Sequence, residues 1–190
     1  MRAAFKEWAV VVDALGRGEQ ILILRKGGIG EGRDGFRPEH RRFLLFPTFF
    51  HQQRELVVPS AQAGLDQITA DFPVGGRTRI GFFCEVAAER LVESPAMVER
   101  WRGQHVWRDE VIARRFDWGR EAGIYALAVR VFRLKTAAEL PMMKSYGGCK
   151  SWIRLESDVE TSGACPVLPE DAFAERLSAF SDAFDLAAAP

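Results

Sequence analysis

Cysteine is scarce in this chain: three residues in 190, Cys84, Cys149 and Cys165. An odd number, widely separated and without a C-x-x-C pair or a Cys/His spacing, argues against a disulfide framework and a structural zinc site, and predicts a reducing, cytoplasmic setting. Net charge is missing as well, since 26 Lys and Arg balance 26 Asp and Glu. No global field draws the protein to nucleic acid or to an anionic membrane, so electrostatic recognition must be local. Long apolar runs are absent too. The N-terminal stretch MRAAFKEWAVVVDALGRGEQ carries Lys6, Glu7 and Asp13 among its apolar residues, which excludes a signal h-region or a spanning helix there and predicts no membrane partner. The phosphate-loop pattern G-x-x-x-x-G-K-[ST] does not occur, and the sequence implies no cofactor and no metal.

Apolar periodicity gives the expected elements. Phe5, Trp8, Ala9, Val12 and Leu15 recur at helical spacing before Gly16 and Gly18, predicting an N-terminal amphipathic helix. Residues 20–26, 42–47, 55–59, 77–93, 123–134 and 150–156 read as strands, being rich in β-branched and aromatic residues and bounded by glycine or proline. Residues 60–72 and 94–101 read as helices, and 110–118 fits either type. After Pro169, the acidic pair Glu170–Asp171 opens a last helix whose Phe173, Leu177, Phe180 and Phe184 share one face. The expected product is an α+β domain at 1–160, built on a curved, mainly antiparallel sheet or small barrel with flanking helices, followed by a C-terminal helical extension at 161–190.

The stretch LRKGGIGEGRDGFRPEHRRF, residues 24–43, combines glycines with clustered basic side chains. Gly30, Gly32 and Gly35 match the dinucleotide fingerprint in spacing. That motif needs a helix to begin at once so that its first amides can hold a pyrophosphate, whereas here Pro38 biases Arg37 away from helical geometry. ILILRKGG resembles the opening of the Nudix fold, yet RELVVP at 54–59 lacks the Glu-Glu pair that would gather magnesium. There remain six cations, Arg25, Lys26, Arg33, Arg37, Arg41 and Arg42, against three acids, Glu31, Asp34 and Glu39, a local excess of three. Such an arm either contacts phosphates, by releasing their counterions, or is a solvated surface loop.

Chemistry-bearing residues elsewhere are few. Glu39, His40 and His51 flank the strand at 42–47 and are candidates for proton transfer or for metal-assisted hydrolysis, with ordinary surface histidines as the alternative. Cys149, beside Lys150, could be a nucleophile or a small buried hydrophobe. Gly147–Gly148 permits a tight turn that lets a ligand approach the backbone. Tyr146, Trp152, Trp8, Trp107 and Trp118 supply flat rings, most of them expected in the core, with one or two near the glycine turns able to stack on a base.

FKEWAVVVDAL, ILILRKGGI, PEHRRFLLFPTFFHQ and SYGGCKSWIRLE together resemble the bacterial DUF1802 family over residues 4–156. The family has no assigned function. The resemblance implies an association with restriction-endonuclease-type modules, hence a possible nuclease partner, and it carries no catalytic residue over to this chain. The helix, curved sheet and basic loop are also similar to PUA-like folds by analogy. The leading expectation is a DNA- or RNA-binding, or modified-base-recognising, domain in which Arg25, Lys26, Arg37, Arg41, Arg42 and Lys150 hold phosphates while Tyr146 and Trp152 shape a pocket. A hydrolase using Glu39, His40 and His51 and a partner-binding subunit docking through the C-terminal helix are the alternatives.

Overall fold

The chain enters its fold as a strand, not as the helix its N-terminal periodicity predicts. In the computed structural model, which describes residues 1–26, 38–49, 54–70, 76–117 and 123–185, β1 (Ala3–Trp8) runs directly into α1 (Ala9–Gly16). Phe5, Trp8, Ala9 and Val12 fit a 3.6 period only by coincidence. Ala4 and Phe5 point to opposite faces of the sheet, each into its own apolar cluster. Seven of the eight residues of α1 are buried, because the helix is enclosed rather than lying on the surface.

The remaining strands are β2 (Leu22–Arg25), β3 (Arg42–Thr48), β4 (Arg77–Val92), β5 (Ile124–Pro141), β6 (Trp152–Arg154) and β7 (Cys165–Pro166). Helices α2 (Pro59–Ala70), α3 (Pro95–Glu99), α4 (Asp109–Asp117) and α5 (Glu170–Asp185) complete the described residues. Residues 55–59, expected as a strand, form one 3-10 turn at Arg54–Leu56 and a single bridge from Val57 to Trp107 before Pro59 opens α2. Pro59 takes the first helical position and so ends the extended run, leaving only Val57 to pair. The ambiguous stretch 110–118 is helical. Asp109 and Glu110 in its first turn and Arg114 and Arg115 in its last complement the helix dipole.

One curled mixed sheet holds the fold in the order β2-β5-β4-β3-β1-β6, with β7 added to β5. All pairings are antiparallel except β1 with β3, which runs parallel from Ala4↔Leu44 to Trp8↔Thr48. The expected α+β class with a curved sheet is therefore the observed one, as a half-barrel with helices including a C-terminal one. The long β4–β5 pair supplies the bend: its register shifts between Ile80 and Phe82 and again between Val86 and Ala88, and such bulges increase local twist. The curl brings the two edge strands together, where Arg25 at the end of β2 donates to Ser151 Oγ just before β6 at 2.8 Å.

Strand alternation sends Phe5, Phe43 and Leu45 to the larger core, with α1 and the helices, and Ala4, Leu44 and Phe46 to a smaller one behind the sheet. The segment after residue 160 packs into the larger core through Phe173, Phe180 and Ala183. Gly123, directly before β5, has φ +88°, and a Cβ there would lie 2.5 Å from the Val92 carbonyl oxygen. Gly123→Ala therefore combines left-handed strain with a backbone clash, and urea unfolding should show a loss of about 2 kcal/mol.

Candidate nucleic-acid interface

Alternation on β1 places Glu7 on the same face as Phe5, inside the curl, where it is 1% exposed. Its Oε1 accepts the Trp8 N–H at 2.7 Å, while Oε2 finds no hydrogen-bond partner among the described residues. A buried carboxylate needs a compensating cation. Arg115 of α4 is the cation whose charge acts on it. That guanidinium donates to the Leu24 carbonyl at 2.6 Å and lies 4.2 Å over the Trp107 ring. Burial of the guanidinium pulls its pKa down to about 10, with Glu7 opposing and Arg25 adding to the fall, so Arg115 stays charged at neutral pH.

Around this centre lies the edge where β1, β2 and β6 meet. Arg25, half-buried, holds Ser151 and places its guanidinium 5.4 Å from the Phe5 ring. Lys6, on the opposite face of β1 from Glu7, donates to the carbonyls of Tyr146 at 3.0 Å and Gly148 at 2.7 Å. Burial first, then Arg25, pull the Lys6 pKa below its ordinary value; Cys149 opposes and Lys150 adds to the fall. Lys26 reaches the Phe116 carbonyl at 3.4 Å, and Lys150 is exposed. Half-buried Trp152 meets Phe5, Phe43 and His40 edge-on, with centroids 4.9, 5.0 and 5.2 Å away.

The structure thus brings together Arg25, Lys26, Lys150, Trp152 and His40 of the expected residues. It separates others. Arg41 donates to the Val86 carbonyl at 2.9 Å, and Arg42 pairs with Glu85 at 2.9 Å at the β3–β4 seam, where an acid already neutralises it. Tyr146, expected to shape a pocket, is a core residue instead: it is 3% exposed, its hydroxyl accepts the Glu156 N–H, and its ring meets Phe46. Glu39 and His40 are both exposed. The glycine motif at 30–35, Arg33, Arg37, His51 and Trp118 lie outside the described residues. Among the described residues no three His, Cys, Asp or Glu side chains gather to hold a metal ion. The three cysteines are free, Cys84 buried and Cys149 and Cys165 exposed.

Lys6, Glu7, Arg115 and Ser151 were missing from the expected set. Two adjacent charges inside an apolar N-terminal run were the available signal, hidden because a helix reading sends such residues to solvent.

A family model described as a domain of unknown function, DUF1802, matches residues 4–179. The chain belongs to the DUF1802 family. The DUF1802 match spans β1 through most of α5, and so includes every residue of the edge just described. A crystal structure of a ZmASCH mutant protein from Zymomonas mobilis is similar over 93% of this chain and 94% of that one, with a TM-score of 0.43 and 9% sequence identity. No curated protein matches this DUF1802 chain significantly in sequence. Among the described residues no helix is long and apolar enough to cross a membrane.

Proposed function

We propose that this protein binds single-stranded nucleic acid along the edge where β1, β2 and β6 converge. The observation that carries the reading is the gathering of Lys6, Arg25, Lys26 and Lys150 at one sheet edge, in a chain whose overall charge is zero. Like charges held together repel one another and are retained where an anion is to be bound. Half-buried Trp152, with His40 against it, adds ring surface next to the cations, and stacking on such rings tolerates any base. In this reading Arg25, Lys26 and Lys150 contact phosphates. The domain would present its ligand to a separate nuclease partner.

Fluorescence anisotropy with labelled single-stranded DNA and RNA tests this. With about three phosphate contacts the slope of log affinity on log salt is about −2, so raising salt from about 50 to about 200 mM should weaken binding about twentyfold. Arg25→Ala together with Lys150→Ala should flatten that slope. Affinity that ignores salt, or binding left intact in the double variant, would remove this edge from the proposal.

A further inference from the structure

The turn Gly147–Lys150 stands out within this edge. It joins the 3-10 turn at Lys144–Tyr146 to β6, and all four of its residues are exposed. Gly148 has φ +79°, and nothing lies within 4 Å of where its Cβ would be, so the turn faces open space. The N–H groups of Gly148, Cys149 and Lys150 donate to no acceptor among the described residues. Consecutive unspent amides in a glycine turn form an anion-binding concavity.

Charge points the same way. Among the described residues Arg25, Lys6 and Lys150 form no salt bridge. Glu156, which follows β6, accepts from Ser145 Oγ at 3.1 Å. Lys6 braces the turn from behind through the Tyr146 and Gly148 carbonyls, and Arg25 braces its far end through Ser151. One short turn thus carries three unspent amides and an exposed lysine, with two further cations bonded to it or at its end.

The geometry points to the turn Gly147–Lys150, with Lys6, Arg25 and Lys150, as the site of a terminal phosphate monoester on a single-stranded nucleic acid. This rests on the nucleic-acid reading above and names the group it anchors. A monoester carries about −1.5 to −2 charges and three acceptor oxygens, against one charge and two free oxygens on an internal diester, so it answers this concentration of donors better. A bound dianion also offsets the repulsion from Arg25 and Lys150 that adds to burial in lowering the Lys6 pKa.

The test uses the full chain and matched oligonucleotides bearing a 5′-phosphate, a 3′-phosphate or hydroxyls at both ends, in competition anisotropy at one salt concentration. Inorganic phosphate in an amide chemical-shift titration serves as the minimal probe. One phosphorylated end should bind about tenfold tighter than the hydroxyl-ended strand, and the two arms say which end. Lys150→Ala, at an exposed position that leaves folding intact, should weaken every strand and abolish the preference for a phosphorylated end; Lys150→Arg should restore that preference. Inorganic phosphate should shift the amides of Gly148, Cys149 and Lys150. Equal affinity for all three strands with salt-dependent binding retained overturns the inference and leaves the nucleic-acid reading standing. Failure of every strand to bind at about 50 mM salt overturns both.

Discussion

Trp101→Ala should lower the unfolding free energy by about 3–5 kcal/mol, the range for truncating a fully buried large aromatic. Trp101 is 0% exposed. Its ring stacks on Phe180 at 5.1 Å and 3°, meets Phe184 at 5.1 Å, and donates from Nε1 to the Phe180 carbonyl at 3.4 Å. Next to it, Arg100 donates to the Ala183 carbonyl at 2.8 Å. These contacts are what fasten the last two turns of α5 to α3, while Arg130 pairs with Glu170 at the other end of the helix. The substitution should therefore expose residues after about 175 to limited proteolysis before the sheet unfolds, because local opening follows the loss of local burial. If urea midpoints and proteolysis patterns stay at wild-type values, Trp101 does not hold α5. The same contacts bear on partner docking through this helix. Phe173 and Phe180 are buried, and Leu177 and Phe184 pack against the same core, so the apolar face is covered by the protein's own residues.

Acidification from pH 6.5 to about 4 should remove about 3 kcal/mol through one side chain. His105 is 7% exposed, and its Nδ1 has no partner among the described residues. Burial first, then Arg115, push its pKa down from 6.5 to about 4; Asp109 and the Trp107 backbone pull the other way. The folded state therefore holds the neutral imidazole where the unfolded chain would be protonated. Its contribution is complete above pH 6.5 and is lost as pH falls toward 4, at about 1.4 kcal/mol per unit over about 2.5 units. Asp158, held below its ordinary value by Arg2 and the N-terminus, acts only at still lower pH, where its contribution fades as the carboxyl protonates. Urea unfolding at pH 7, 5.5 and 4.5 should trace the loss, and His105→Gln should flatten it between 6.5 and 4. A wild-type slope in that variant would assign the acid sensitivity elsewhere. Loss of stability here also loosens the wall that carries Arg115 and Trp107, so nucleic-acid affinity measured near pH 4.5 reports folding as well as binding.

How much was legible before the fold was known follows from the range over which each signal acts. β2, β3, β4 and α5 were readable because their residues carry the instruction locally: Leu22–Arg25 belongs to a short aliphatic run between glycines, and Glu170–Asp171 after Pro169 opens a helix whichever partner it meets. The N-terminal strand was not, since Phe5, Trp8, Ala9, Val12 and Leu15 satisfied a helical period and a strand followed by a buried helix equally well. Only pairing with β3 and β6 chose between them. The candidate interface divides in the same way. Basic residues near a glycine stretch were visible as composition, and Arg25, Lys26 and Lys150 were found that way.

By itself, the sequence determined an α+β chain of zero net charge with its cations gathered near residue 25 and a glycine turn near 148, because composition and short-range pattern are properties of the chain alone. Tertiary structure decided which of those cations share a site. Arg42 meets Glu85 across a strand pair and is neutralised, whereas Lys6, Arg25 and Lys150, up to 144 positions apart in the numbering, meet where the curled sheet brings its two edges together. Charge acts through distance in space, and that distance exists only once the sheet has closed on itself.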